Sequence, residues 1–187
     1  MLTHPLADGL ELVLLEPRHA DALYVATEEN RDHLREWLPW VDATRSPGDT
    51  LAFIDRSRRQ LAANEGVTTI LRFRGEICGV IGHVRIDWRS RATALGYWLA
   101  EPFQGRGFMT LACRAYLDYS FGELQLNRVE IRAATANRRS RAIPERLGFQ
   151  LEGIVRESEW LYDHFVDHAV YGMLRSEWLA GEAGIAG

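Results

Sequence analysis

The chain has little cysteine and no paired cysteine motif. Its 187 residues include only Cys78 and Cys113, each within an apolar stretch. No C-x-x-C pair or Cys/His cluster of the kind that holds zinc is present. We therefore expect two buried thiols, rather than a disulfide or a metal site, and no metal cofactor.

An excess of positive charge and long apolar runs are also missing. The formal net charge is −4 and the isoelectric point is about 5.9, which argues against bulk binding to nucleic acid. Glu11 interrupts the apolar stretch from Leu10 to Leu15, and no window approaches the length that spans a bilayer. We expect a cytoplasmic protein with no direct nucleic-acid partner and no membrane partner.

No repeat, linker or low-complexity segment divides the chain. Its hydrophobic content of 47% is enough for a sizeable core. We expect one domain over residues 1–180 and a flexible C-terminal tail over residues 181–187.

The most informative segment that is present is a glycine-rich turn between an apolar strand and a long helix, Gln104 to Thr110. Without a Cβ atom, Gly105 and Gly107 can adopt positive φ, and the first N–H groups of the following helix are left unpaired. Such a turn is typical of an anion site. It matches neither the dinucleotide fingerprint nor the P-loop. The alternative is a tight helix entry that binds nothing.

Hydrophobic periodicity predicts a mixed α/β sheet. The strands of residues 93–99 and 128–133 are joined by a helical crossover, so they should be parallel neighbours with the ligand at their carboxyl ends. We predict strands over residues 11–16, 67–74, 77–87, 93–99, 128–133, 150–160 and 166–175. We predict helices over residues 18–30, 31–37, about 50–64, 108–121 and 140–147, the last one stopping at a left-handed Gly148.

This order of elements resembles the GNAT superfamily of acetyl-CoA-dependent N-acetyltransferases. The residues that carry the resemblance are the turn, the run Asn137-Arg138-Arg139-Ser140, and Leu147-Gly148-Phe149 with Glu152-Gly153. Asn30, Leu34 and Trp37-Leu38-Pro39-Trp40 add a similarity to the Rim-type (RimJ/RimL-like) branch, which acetylates the N-termini of ribosomal proteins. The resemblance implies a single α/β (α+β) domain whose mostly antiparallel sheet contains a splayed parallel pair and is flanked by helices.

The resemblance also implies a site for acetyl-CoA. Main-chain groups near Leu99 would polarise the thioester carbonyl, and Asn137 would contact the pantetheine. Arg138, Arg139 and Arg141 are candidates for the 3′-phosphate, the alternative being solvated surface arginines. The diphosphate would lie on the main chain of the turn, with Arg106 adding charge: Gln104, Gly105, Arg106, Gly107, Phe108, Met109 and Thr110. Met109 departs from the pattern, since a glycine or alanine is usual there.

In this family the amine attacks the thioester directly, so no nucleophilic side chain is needed, and no G-x-S-x-G elbow occurs here. By resemblance, Glu159 is the general base and Ser140 donates to the departing thiolate. Glu157, two residues away on the same face of a regular strand, is an alternative base, and Glu159 could instead be a solvated strand residue. Ser140 could instead be only the N-cap of the next helix. Pro144 stands where the commoner superfamily arrangement has a tyrosine.

The implied acceptor is the N-terminal α-amino group of a protein. A small amine such as a polyamine or an aminoglycoside is an alternative acceptor, and a catalytically silent CoA-binding sensor is an alternative function. Related enzymes are often dimers, so a homodimer is possible. We interpret His83, His164 and His168 as structural, with His168 helping to order the last hairpin.

Overall fold

The computed structural model describes residues 3–185, with side chains through residue 181. It contains eight strands: β1 (Thr3–Ala7), β2 (Leu10–Leu14), β3 (Thr68–Phe73), β4 (Glu76–Asp87), β5 (Ala92–Leu99), β6 (Arg128–Ala134), β7 (Gln150–Leu161) and β8 (His164–Leu174). The helices are α1 (Ala20–Glu29), α2 (Arg31–Arg35), α3 (Pro47–Ala62), α4 (Phe108–Asp118), α5 (Arg138–Arg146) and α6 (Arg175–Ile185).

All eight strands form one sheet in the order β1-β2-β3-β4-β5-β6-β8-β7. Strands β5 and β6 are parallel, and the other neighbouring pairs among the described strands are antiparallel. The predicted fold class, a mostly antiparallel mixed α/β sheet with one parallel pair and flanking helices, is confirmed.

The parallel pair separates at its carboxyl end. Strands β5 and β6 are paired from Ala92 opposite Arg128 to Leu95 opposite Ile131. Beyond that point β5 continues to Leu99 paired only with β4, and β6 continues to Ala134 paired only with β8. A gap therefore opens between the two strands.

Two apolar clusters cover the two faces of the sheet. The larger one includes the predicted apolar side of α4, with Met109, Cys113 and Leu117 all buried. The smaller one holds α1 and α3. Successive residues of a strand point to opposite faces, and the neighbours Ile70 and Leu71 of β3 belong to different clusters. The clusters therefore lie on opposite faces of the sheet.

Both cysteines are free and buried, as predicted. Burial raises the pKa of Cys78 to about 12, so this thiol stays protonated at neutral pH. Gly148 has a φ of +81°, which is the left-handed conformation expected after α5.

Two elements were not predicted from the sequence. Strand β1 has mostly exposed or half-buried residues, so it shows little hydrophobic pattern. Helix α6 includes residues 181–185, where a flexible tail is expected from the sequence, and residues 186 and 187 lie outside the described residues. Trp178 of α6 is buried and donates from Nε1 to Oδ1 of Asp118 at 3.0 Å. This contact holds the helix against α4.

His83 is a buried histidine in a neutral hydrogen-bonded setting. The Val67 N–H donates to its Nδ1 at 3.3 Å, and its Nε2 lies 3.0 Å from Oγ of Ser120. Because the amide can only donate, the ring proton is on Nε2, which donates to Ser120. Burial lowers the pKa of His83 to about 4.

This burial predicts a loss of stability in acid. Between pH 6.5 and about 4, the ring binds a proton in the unfolded chain but not in the folded one, so falling pH favours unfolding. By pH 4 the loss should approach roughly 3 kcal/mol. His83→Gln cannot titrate, so its stability in urea unfolding should fall by that much less between pH 7 and pH 4. Identical pH slopes for both proteins would contradict this.

Candidate active site

The glycine turn that follows β5 has the predicted conformation. Gly105 and Gly107 have φ values of +74° and +76°, and Gly107 is the N-cap of α4. A Cβ atom built on either glycine would meet no protein atom within 4 Å. The space beside the turn is therefore open to a ligand.

The main chain of the turn can bind an anion there. Gly107 has no side chain that could cap the first N–H groups of α4, and these groups have no acceptor inside the helix. The side chains of Phe108 and Met109 are 9% and 3% exposed, so they belong to the core. This explains why a residue as large as Met109 fits at a position where glycine or alanine is usual, since only its main chain can face the ligand.

Arg106 adds positive charge at the same place. Its guanidinium carbon lies between 5.5 and 6.0 Å from the ring centroids of Phe73, Phe103 and Phe108. The residue is exposed. The aromatic rings therefore hold the cation beside the turn without neutralising it.

The side chain of Gln104 links the turn to two helices. Arg139 donates from Nη1 to Oε1 of Gln104 at 2.6 Å, and Nε2 of Gln104 lies 2.6 Å from Nε2 of His33 on α2. Because arginine only donates, Oε1 must face Arg139, so the amide nitrogen donates to His33. From the sequence, His33 could be either a packing residue of the early helices or part of the wall of the acceptor channel, and the structure places its ring against Gln104.

Asn137, not Ser140, caps helix α5. The Ser140 N–H donates to Oδ1 of Asn137 at 3.0 Å, and the helix begins at Arg138. The alternative that Ser140 is only an N-cap is therefore wrong. Arg141 donates to the hydroxyl of Tyr171 at 2.9 Å and to the carbonyl of Thr135 at 3.0 Å, so it is engaged inside the protein. Arg138 and Arg139 remain candidates for a phosphate.

Thr110, the last residue of the turn segment, accepts a hydrogen bond on its side chain. Nη1 of Arg146, at the end of α5, donates to Oγ1 of Thr110 at 3.0 Å. This bond joins the first turn of α4 to α5 through the side chain of Thr110, and it does not use the Thr110 main-chain N–H.

Tyr97 is a candidate site residue that its sequence position does not reveal. It lies on β5 in the stretch that has separated from β6, and its hydroxyl donates to the carbonyl of Ser140 at 3.2 Å. The hydroxyl of Ser140 is 3.4 Å from the same Tyr97 oxygen. Burial raises the pKa of Tyr97, so its proton is retained. A tyrosine is thus present beside Ser140, but it comes from a strand and not from the helix position of Pro144.

The strand that carries Glu159 is not regular. Val155 of β7 pairs with His168, but the next pair is Glu159 with Val166, so a bulge lies between them. Within it Glu157 has a φ of +47°, and its N–H donates to Oδ1 of Asp167 at 2.8 Å. The expectation that Glu157 and Glu159 share a face rested on regular alternation, and the bulge removes that basis. Glu157 is exposed and Glu159 is half-buried.

Glu159 contacts a histidine. Oε2 of Glu159 lies 3.4 Å from Nε2 of His168, and the two side chains are 31% and 15% exposed. The spacing of these residues in the sequence gave no signal, because the bulge and the strand register bring them together. His168, interpreted as structural from the sequence, is therefore a second candidate site residue.

The glycine turn and the Glu159–His168 pair border the same gap. His168 pairs with Ala134, the last residue of β6, while the turn follows the end of β5. The Ala100 N–H donates to the main-chain carbonyl of Cys78 on β4 at 2.8 Å, on the side away from the gap. Because main-chain groups alternate sides along a strand, those of Leu99 are directed toward the gap, where β6 does not pair with them.

Among the residues that the structure describes, no group of three or more His, Cys, Asp or Glu side chains is arranged to hold a metal ion. No helix in the described part of the chain is long and apolar enough to span a membrane.

Comparison with known proteins defines the class. Residues 10–150 match the model of the "Acetyltransferase (GNAT) domain", which makes the protein an acyltransferase. The chain belongs to the GNAT acetyltransferase family.

Its relatives include proteins named as acetyltransferases of ribosomal proteins. It is 37% identical over 180 residues to "Putative ribosomal N-acetyltransferase YdaF" of Bacillus subtilis (strain 168), covering 95% of this chain and 98% of the relative. It is 27% identical over 172 residues to "Ribosomal-protein-serine acetyltransferase" of Escherichia coli (strain K12), covering 92% and 96%. Among solved structures, microcin C7 self-immunity acetyltransferase MccE, in complex with acetyl-CoA and AMP, is 25% identical with a TM-score of 0.85, covering 90% of this chain and 94% of that one.

Proposed function

We propose that this protein transfers acetyl from acetyl-CoA to the N-terminal α-amino group of a protein, and that a ribosomal protein is the acceptor. The names of the relatives support the acceptor class, and the acetyl-CoA complex of MccE supports the donor. A cytoplasmic location, expected from the sequence, suits such an acceptor. The observation that carries the proposal is the gap between β5 and β6, which opens directly beside the open glycine turn.

The donor lies along this gap. The main-chain N–H groups of residues 105–110 bind the diphosphate, and Arg106 and Arg139 contribute positive charge. The pantetheine passes Asn137 and brings the thioester to Leu99. There the Leu99 main-chain N–H donates to the carbonyl oxygen and stabilises the negative charge that develops on it during attack.

Acetyl transfer is a direct displacement. The neutral amine attacks the thioester carbon, a C–N bond forms and the C–S bond breaks. The amine loses its proton on the side of the gap where Glu159 and His168 lie, and the departing thiolate is protonated from the Ser140 side, where Tyr97 supplies a second hydroxyl. Positioning of the two substrates in the gap supplies much of the acceleration.

The α-amino group is the favoured acceptor on energetic grounds. Deprotonating an α-amino group with a pKa of about 7.8 costs about 1 kcal/mol at pH 7. Deprotonating a lysine with a pKa of about 10.4 costs more than ~4 kcal/mol. A site with half-buried carboxylate and imidazole groups therefore has to supply less free energy to deprotonate an N-terminus than to deprotonate a lysine.

A thiol-release assay with acetyl-CoA tests the proposal. The acceptors are N-terminal peptides of ribosomal proteins, the same peptides blocked at the N-terminus but containing lysine, and small amines. We expect release with free N-termini and none with the blocked peptides. Release with small amines only would mean that the acceptor is a small amine and not a protein N-terminus. A thermal shift with CoA but no release with any acceptor would indicate a CoA-binding sensor.

The homodimer stays a proposal as well. Strand β7 is at the edge of the sheet, and it exposes Ile154, Val155 and Trp160 by 48%, 42% and 50%. Exposed apolar side chains grouped on an edge strand are typical of a protein contact surface.

A further inference from the structure

The pair formed by Glu159 and His168 is a charge contact, with Oε2 of Glu159 lying 3.4 Å from Nε2 of His168. A carboxylate only accepts hydrogen bonds, so it favours the neutral tautomer that carries its hydrogen on Nε2. In that tautomer the lone pair is on Nδ1. Among the described residues, Nδ1 has no hydrogen-bond partner. The lone pair in that tautomer is therefore not engaged by another described residue.

The register places this pair on the sheet face that borders the gap. His168 and Val166 are two residues apart on β8 and share a face, and Glu159 is directly opposite Val166. His168 is also opposite Ala134, where β6 has already parted from β5. On the same face of β6, the cation Arg132 pairs with Glu130 at 2.5 Å. Among the described residues, Glu159 is the charged group that forms an ion pair with the imidazole.

Basicity favours the imidazole over the carboxylate as the proton acceptor. Transfer from an α-ammonium to an ordinary carboxylate is unfavourable by roughly three-thousandfold, and transfer to an ordinary imidazole by only roughly twentyfold. A carboxylate beside the second ring nitrogen also stabilises the imidazolium that forms and keeps the ring oriented.

We propose that His168 receives the proton of the acceptor amine. Glu159 then acts as the positioning residue that keeps the imidazole oriented and stabilises its positive charge. The inference rests on the proposed function and deepens it. The ammonium transfers one proton to Nδ1 of His168, and this proton is later released to solvent. The amine lone pair forms the C–N bond while the C–S bond breaks. The nitrogen passes its second proton to the Ser140 side, which gives one proton to the thiolate, so the proton that His168 releases to solvent is the one released per turnover.

The test is His168→Ala with and without added imidazole. We expect kcat for an N-terminal peptide to fall roughly a hundredfold with the KM for acetyl-CoA nearly unchanged. Imidazole should restore activity in a saturable way, which a purely structural role would not produce. The matched control is His4→Ala, an exposed histidine on β1 at the far edge of the sheet, which should keep wild-type activity and show no response to imidazole.

His168→Asn keeps a polar side chain at this position and guards against misfolding, and a thermal shift with CoA checks both variants. If either folded variant keeps activity within about threefold of wild type, the proposal is overturned. It is also overturned if the loss is large, CoA still binds and imidazole restores nothing. Absence of acetyl transfer by the wild-type protein would instead overturn the proposed function, so the two failures are distinguishable.

Discussion

Glu159→Gln is expected to lower kcat for an N-terminal peptide roughly a hundredfold while leaving the affinity for CoA almost unchanged. Glutamine has the size of glutamate and can still accept from Nε2 of His168, but it has no negative charge to stabilise the imidazolium. The effect should therefore appear in the chemical step and not in coenzyme binding. Steady-state kinetics at neutral pH and a CoA titration measure the two quantities separately.

Glu157→Gln is the matched control for this substitution. Glu157 is exposed and lies in the bulge, with only its N–H engaged by Asp167. We expect its kcat to stay within about threefold of wild type. The variant Glu159→Gln/His168→Ala should be about as slow as the slower single variant, because residues that act as a unit are not additive. Wild-type activity of Glu159→Gln would remove this carboxylate from the mechanism.

Gly107→Asp is expected to weaken CoA binding by more than about a hundredfold, the largest effect on affinity that the structure predicts. Aspartate is favoured at an N-cap and tolerates positive φ better than most residues, so the fold should survive. Its side chain would enter the open space beside the turn and place a carboxylate where the diphosphate is proposed to bind. Calorimetric titration with CoA measures the loss.

Gly107→Asn distinguishes the effect of the carboxylate charge on CoA binding from the effect of side-chain size. Asparagine has nearly the same shape, caps the same N–H groups and carries no charge. We expect it to weaken CoA binding, but at least about tenfold less than aspartate does. Equal affinities of both variants and the wild type would mean that the diphosphate lies elsewhere.

Much of the fold could be predicted because its elements follow strong local rules. Helix α4 has apolar residues at spacings of three and four, and these residues are buried as expected. The left-handed conformations of Gly105, Gly107 and Gly148 follow from residue type and position. Strand β1 and helix α6 could not be predicted, since the first buries little surface and the second contains glycines that weaken a helix.

The site could be predicted only where function depends on main chain or motif. The turn from Gln104 and the cap at Asn137 are of this kind. Tyr97 and His168 were missed because their roles arise from tertiary contacts, to Ser140 across the gap and to Glu159 across a bulge. Arg141 was a candidate for the phosphate because it is close to Asn137 in the sequence, but its guanidinium donates to the hydroxyl of Tyr171 on β8. No local pattern encodes these pairings.

A crystal structure with bound CoA is the most direct test of the account. We predict diphosphate oxygens within hydrogen-bond distance of main-chain N–H groups between Gly105 and Thr110, and the thiol end beside Leu99 in the gap between β5 and β6. A turn that stays empty, or that is closed by Gln104 and Arg139 while the coenzyme binds elsewhere, would contradict it.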